Sequence, residues 1–221
     1  NPVGRSWTKE ELTKLGELCL KYNVLVISDE IHADLSIPPN KHTALATISP
    51  EIANNTFTFL ASSKAFNTAG LSQAFGIASN PDVLEKFNNQ ANRQFLEKNL
   101  LGLVALRAAY EKGEEWLGQL VEYISANADY VVSFIRKEIP VLQARKQEAT
   151  YLLWLDCRGL GLTQEELAKF MVNEACIGMN SGEMFGKNGV GFMRMNIACT
   201  RATLEKALFQ LKAAIDKKIA K

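Results

Sequence analysis

Three short stretches of this chain carry side chains suited to covalent chemistry on an amine or carbonyl: Ser62-Ser63-Lys64, Ser28-Asp29-Glu30 and Asn1-Pro2-Val3-Gly4-Arg5. A lysine amine can form a Schiff base with a carbonyl cofactor when a carboxylate and hydrogen-bond donors surround the ring. Two hydroxyls precede Lys64, and the small residues that follow it, in Ala65-Phe66-Asn67-Thr68-Ala69-Gly70-Leu71, let backbone approach a bulky ligand. Phosphate is a reasonable partner for such hydroxyls. An isolated lysine in this position is otherwise a solvated charge.

Asp29 follows four apolar residues and a serine, where burial raises a carboxyl pKa unless a cation is close. A protonated pyridine nitrogen would be that cation, and the pair would keep the ring an electron sink for a carbanion at a substrate Cα. Capping of a following turn is the alternative role for Asp29. His32, three residues on, can face the same place or make a simple polar contact. His42, after Pro38-Pro39, reads as a surface residue without a partner. Neither histidine has metal-ligand spacing to the other or to a cysteine. Arg194 interrupts an apolar strand in which Phe192, Arg194 and Asn196 alternate with Met193, Met195 and Ile197. Its planar fork suits a substrate α-carboxylate, with an internal salt bridge to a glutamate as the alternative.

The elements that must position these groups are legible in the hydrophobic pattern. A capping box at Thr8 and Glu11 opens a helix from about Trp7 to Tyr22. Val24 to Ile27, apolar and partly β-branched, predicts a central parallel strand covered on both faces. Thr56 to Leu60 predicts a second strand, and Gln73 to Ala78 a third beside it. In open α/β sheets ligands bind beyond the carboxyl ends of the strands, where Asp29 and Lys64 both fall. From Asp82 to about Arg136 the pattern is helical, and its long last part, from Glu114 to near Pro140, predicts a spine between two domains. A strand from Tyr151 to Leu155, a helix capped by Thr163 and Glu166, strands near Cys176 and from Gly191 to Ala198, and a helix from Arg201 to Ile219 complete a small α+β domain. The expected organisation is therefore α/β, with residues 1–113 in a large domain and 114–221 forming the interdomain helix and small domain.

With 221 residues, 47% hydrophobic and 22% charged, the composition is that of a globular protein. The 25 basic and 24 acidic side chains nearly cancel and the basic ones are scattered, which argues against nucleic acid as a partner. No run of about 18 apolar residues is present to span a bilayer. Cys19, Cys157, Cys176 and Cys199 form no C-x-x-C pair and predict buried thiols in a reducing, cytoplasmic setting. A start at Asn1, in a turn that normally follows a strand, reads as a truncated chain, with a removed leader or tag as the alternative.

Taken together and in order, the motifs resemble the fold-type I pyridoxal phosphate enzymes, most closely the branch of cystathionine β-lyases and related C-S lyases. They are Asn1-Pro2-Val3-Gly4-Arg5, Ser28-Asp29-Glu30-Ile31-His32-Ala33-Asp34, Ser63-Lys64-Ala65-Phe66-Asn67-Thr68-Ala69-Gly70-Leu71, Tyr151 to Asp156, and Phe192 to Ile197. The resemblance covers nearly the whole chain and corresponds to the C-terminal portion of such enzymes. It implies a mixed, mostly parallel sheet in the large domain. It also implies that Asn1 bonds the cofactor's ring hydroxylate, Asp29 pairs with the ring nitrogen, Lys64 carries the cofactor and moves the Cα proton, and Arg194 binds the substrate carboxylate. Ser63, and with it Ser62, would touch the phosphate. His32 stands where many aminotransferases carry a tyrosine.

Ser72 occupies the position of an aminotransferase phosphate-binding arginine, and Ala61 that of a serine. The family's first half, with its glycine-rich phosphate loop and ring-stacking aromatic, does not appear in the sequence. The activity implied is α,β-elimination of a sulfur amino acid, with transamination and a regulatory binding role as alternatives. A homodimer is also implied, to which the region from Asn92 to Leu103 would contribute.

Overall fold

The computed structural model describes residues 1–94 and 99–220. Their contacts divide into two compact units. One is Ser6–Leu120; the other joins Asn1–Arg5 to Val121–Lys221.

The first unit opens with helix α1 (Lys9–Lys21), whose capping box is complete: Glu11 N–H donates to Thr8 Oγ1 and Thr8 N–H to the Glu11 carboxylate. The observed start lies two residues after Trp7, because Thr8 itself takes extended backbone as the cap. Strand β1 (Val26–Asp29) pairs in parallel with β2 (Thr56–Leu60), and β3 (Phe75–Ala78) runs antiparallel to β2. The short helix α2 (Pro50–Asn54) precedes β2, and Leu12, Leu45 and Ile52 form a buried cluster against which Val26 and Ile48 pack.

Among the described residues the strand order is β1-β2-β3, with β1 paired on one side, and Ile27 is 69% exposed. An apolar β-branched run marks strand propensity without specifying how many neighbours pair with it. The one-turn helix α3 (Ser62–Ala65) follows β2 directly. Helices α4 (Pro81–Arg93) and α5 (Leu100–Lys112) start on the side-chain caps of Asn80 and Asn99. The region from Asn92 to Leu103 is only partly described, since residues 95–98 lie outside the described set.

Helix α6 (Glu114–Glu138) supplies the first buried stripe of the second unit, with Ile124, Ala128, Val131 and Ile135. Four strands follow in the order β4-β5-β7-β6: β4 (Gln143–Ala144), β5 (Leu152–Asp156), β6 (Asn180–Ser181) and β7 (Phe192–Asn196), all antiparallel to their neighbours. Helix α7 (Gln164–Asn173) carries the second complete capping box, Thr163 with Glu166. Helix α8 (Arg201–Ile219) buries Leu204, Leu208, Leu211 and Ile215 at helical spacing.

The strand expected near Cys176 is the two-residue β6, four residues further on. The amides of Glu174, Ala175 and Ile177 are taken by the last carbonyls of α7, Phe170 and Met171, and Cys176 adopts φ +55°, which closes a helix and cannot extend a strand. Only Cys157 is buried; Cys19 and Cys199 are half-buried and Cys176 is exposed, so the expectation of four buried thiols does not hold. All four are free thiols. No helix among the described residues is long and apolar enough to cross a membrane.

Candidate functional site

Chemically capable side chains occur in each unit. In the first, β1 and β2 run parallel with Asp29 opposite Phe59, so both strands end at one edge of the sheet. β1 delivers Asp29 there, and β2 delivers α3 with Ser62, Ser63 and Lys64. Lys64 is half-buried and, among the described residues, makes no hydrogen bond or ion pair. Ser63 is also half-buried. Ser62 is 1% exposed, and its hydroxyl shares a 2.8 Å hydrogen bond with Thr68 Oγ1. That bond braces the loop after Lys64, which turns at Asn67 with φ +54° and at Ser72 with φ +50°.

Asp29 is exposed, contrary to the burial expected from its apolar approach, because its side chain shares the open face of Ile27. Its carboxylate accepts the Ile31 N–H at 3.2 Å, the turn-capping role weighed as an alternative, and this leaves its second oxygen for a further donor. The buried acid is Glu30, 6% exposed. Glu30 accepts from Ser28 Oγ at 2.9 Å and from the Leu45 N–H at 3.2 Å, and is hydrogen-bonded to His42 Nε2 at 2.7 Å. Burial pushes its pKa up, but the bonds to His42, Ser28 and Leu45 outweigh that and hold it below the usual carboxylate range.

His42 is thus a partner of Glu30 and not the unpartnered surface residue expected. The pairing spans 12 residues of irregular chain, over which no periodicity operates. His32 is half-buried and accepts the Leu35 N–H on its carbonyl at the start of a 3₁₀ turn, Ala33–Leu35. Asp34 in that turn accepts from the Tyr110 hydroxyl at 3.2 Å. Burial first, then the Asp34 charge, pushes the Tyr110 pKa up to about 12.

In the second unit β7 presents Arg194 on the open face, with Met193 and Met195 buried on the other, as the alternation requires. Arg194 Nη1 donates to Asn1 Oδ1 at 2.7 Å and Nη2 to Asn180 Oδ1 at 2.8 Å, while the guanidinium lies 4.5 Å from the Phe185 ring centroid. Its Nε is buried without a hydrogen-bond partner. An internal salt bridge was the other expectation for Arg194, yet both its hydrogen-bonded partners are neutral carboxamides, so its charge is left for an anion.

Asn1 is held in place by its neighbours. Gly4 O accepts the N–H groups of Glu148 and Ala149 at 2.7 and 3.1 Å, and Gly4 sits at φ +67° with Gln147 2.5 Å from where a Cβ would be. Only glycine fits both the conformation and the space. Asn180 and Phe185, which complete the surroundings of Arg194, escaped the sequence reading; β6 is only two residues long, too short for a periodic signal.

The donor set fits a phosphorylated pyridine aldehyde: an uncommitted, half-buried amine, a carboxylate at the adjacent strand end, and a hydroxyl beside the amine. It also includes a separate guanidinium of the kind that binds carboxylates.

The sequence model of the family described as Aminotransferase class I and II matches residues 1–211. Cystathionine beta-lyase PatB of Bacillus subtilis is 42% identical over 222 residues, which cover 98% of this chain and 56% of that protein. The crystal structure of cystalysin from Treponema denticola, which contains a pyridoxal 5'-phosphate cofactor, aligns with TM-score 0.95 at 35% identity over 98% of this chain and 55% of that one. A PLP-bound C-S lyase from Staphylococcus hominis aligns with TM-score 0.89 at 37% identity, over 97% and 55% of the respective chains. The chain spans about half the length of these relatives. Its match from Asn1 to the middle of α8, and its likeness in fold, make this chain a member of the class I and II aminotransferase family.

Proposed function

We propose that this chain is part of a pyridoxal phosphate-dependent carbon–sulfur β-lyase, which converts a β-thio amino acid and water to a thiol, pyruvate and ammonium. The observation that carries the reading is the delivery of Asp29 and Lys64 to one edge by two parallel neighbouring strands, with Lys64 uncommitted to any partner among the described residues. The names of PatB, cystalysin and the Staphylococcus hominis enzyme support the same class.

When bound, pyridoxal phosphate draws the electrons of the substrate's Cα–H bond into its protonated ring. Asp29 would hold the ring nitrogen's proton, Asn1 the ring hydroxylate and Ser63 the phosphate, with His32 beside the ring. Ser62, hydrogen-bonded to Thr68, would brace the loop and touch the phosphate with its remaining hydrogen-bonding capacity. The Lys64 amine takes the Cα proton as general base. Arg194 fixes the substrate carboxylate through the N–H groups that Asn1 and Asn180 do not use, and so orients the Cα–H bond. Proton removal at Cα and departure of the β-sulfur as thiolate then complete the elimination.

Ser72, left-handed at φ +50° after a 3₁₀ turn, stands where an aminotransferase carries a phosphate-binding arginine, and favours elimination over transamination. The protein would act as a cytoplasmic homodimer, with residues 1–113 in its large domain and 114–221 forming the interdomain helix and small domain.

The test is pyruvate release from L-cystathionine by the full-length protein without a keto-acid acceptor. Catalytic release is expected, with loss of at least about 100-fold in Lys64→Ala. Pyruvate formed only when a keto acid is supplied would assign transamination instead.

A further inference from the structure

Tyr110, near the end of α5, touches three separate segments of the first unit. Its hydroxyl donates to Asp34 Oδ2 at 3.2 Å, in the 3₁₀ turn Ala33–Leu35 that follows Asp29. Its ring meets Phe66 edge-on at 5.7 Å and Phe75 edge-on at 6.0 Å. Phe66 closes the one-turn helix α3 that carries Lys64, and Phe75 lies opposite Leu60, the last residue of β2 before that helix. One side chain therefore contacts the turn beyond Asp29 and both flanks of the Lys64 segment.

The rest of α5 fastens the same loop. At its start Asn99 donates from Nδ2 to the Leu71 carbonyl at 3.0 Å, and a Cβ on Gly102 would lie 2.9 Å from that oxygen, so the helix sits directly on the chain that follows Lys64. Just past its end a Cβ on Gly113 would lie 2.5 Å from the Phe66 ring, and Trp116 stacks on that ring at 5.9 Å. Tyr110 carries this hold across to the Asp29 side. Its bond to a carboxylate is charge-assisted, and edge-on ring contacts constrain orientation as well as distance. With its pKa pushed up to about 12, first by burial and then by the Asp34 charge, the hydroxyl remains a donor at neutral pH.

A lysine that carries a cofactor and a carboxylate that holds its ring nitrogen act on two ends of one rigid ring. Their separation has to match that ring, and a misplacement of about 1 Å costs up to about 100-fold in rate. We propose that α5 is the brace that sets the spacing between Lys64 and Asp29, with Tyr110 as its positioning residue: the hydroxyl holds the turn beyond Asp29, and the ring holds both flanks of the Lys64 segment. This rests on the reading of Lys64 and Asp29 as cofactor groups and goes beyond it, to residues that act through them.

The experiment uses the full-length protein and its Tyr110→Phe, Asp34→Asn and Asp34→Ala variants. Tyr110→Phe keeps the ring and removes the hydroxyl; Asp34→Asn keeps an acceptor for it, and Asp34→Ala removes that acceptor. Without cofactor, hydrogen exchange of residues 61–72 should quicken several-fold in Tyr110→Phe and in Asp34→Ala, although Asp34 lies in another segment. With pyridoxal phosphate, Schiff-base formation at Lys64, followed by absorbance, should slow about 10-fold in the same two variants, and kcat for L-cystathionine should fall about 10-fold with KM changed less than about 2-fold. Asp34→Asn should restore most of each loss, and Tyr110→Phe combined with Asp34→Ala should be little worse than either alone. If the variants fold and melt at a lower temperature but keep the wild-type exchange at 61–72, Schiff-base rate and kcat, the positioning role is overturned while the lyase reading stands. If wild type forms no Schiff base at Lys64 but exchange at 61–72 still responds to Asp34→Ala, the brace stands and the cofactor reading falls.

Discussion

Glu30 shows how one residue next to a candidate catalytic group can set its surroundings. Buried beside Asp29, it accepts hydrogen bonds from Ser28 and Leu45 and is bonded to His42, so it ties the end of β1 to the loop that covers it. Because these bonds lower its pKa in the folded chain below the ordinary 4.5, the stabilisation it gives is fully present above that value and is lost as pH falls through the folded pKa. Thermal melts between pH 7 and pH 3 should therefore show wild type losing stability in the acid part of that range. Glu30→Gln should start about 2 kcal/mol lower at neutral pH and respond less to acid. Equal slopes for the two proteins would mean that another group governs the acid limb.

At the scale of elements, buried polar side chains join pieces that hydrophobic patterning alone leaves loosely specified. Asn127, fully buried on α6, donates from Nδ2 to the carbonyls of Ile197 at 2.9 Å and Cys199 at 3.1 Å, and accepts from Arg201 Nε at 3.1 Å. One carboxamide thereby satisfies the chain between the end of β7 and the start of α8. Replacement by leucine keeps the branched outline, adds bulk and strands those groups, which predicts a loss of about 3 kcal/mol in chemical denaturation. A change under about 0.5 kcal/mol would show that water replaces the amide there.

The same contrast explains what could be read from the sequence. Both capping boxes, the Leu204–Leu208–Leu211–Ile215 stripe and the outward alternation at Arg194 follow from local rules of spacing, and the structure has them. The Glu30–His42 pair and the Asn1 and Asn180 contacts of Arg194 depend on which distant segments meet. No local period encodes that.

For the molecule as a whole, the resemblance to cofactor-dependent lyases rests on residues from both contact units: Asp29 and Lys64 in Ser6–Leu120, and Asn1 and Arg194 in the other. A chemical prediction follows. Full-length protein incubated with pyridoxal phosphate and reduced with borohydride should carry the label on the peptide that contains Lys64, and Lys64→Ala should carry none there. Labelling confined to exposed lysines, unaffected by Lys64→Ala, would remove the basis for the proposed function.

The bond between Asn1 and Arg194 also bears on when this protein can become itself. It joins residues 193 apart, and the unit to which both belong is interrupted by the continuous segment Ser6–Leu120. On a ribosome that adds about 5–20 residues per second, Asn1 waits roughly ten to forty seconds for its partner to be made. Ser6–Leu120 can gather its own contacts during that interval, while the bonds of Gly4 to Glu148 and Ala149, and then of Asn1 to Arg194, wait for the later chain. The guanidinium surroundings are thus among the last features to be assembled, and a nascent chain stopped short of Arg194 holds Lys64 and Asp29 without the clamp.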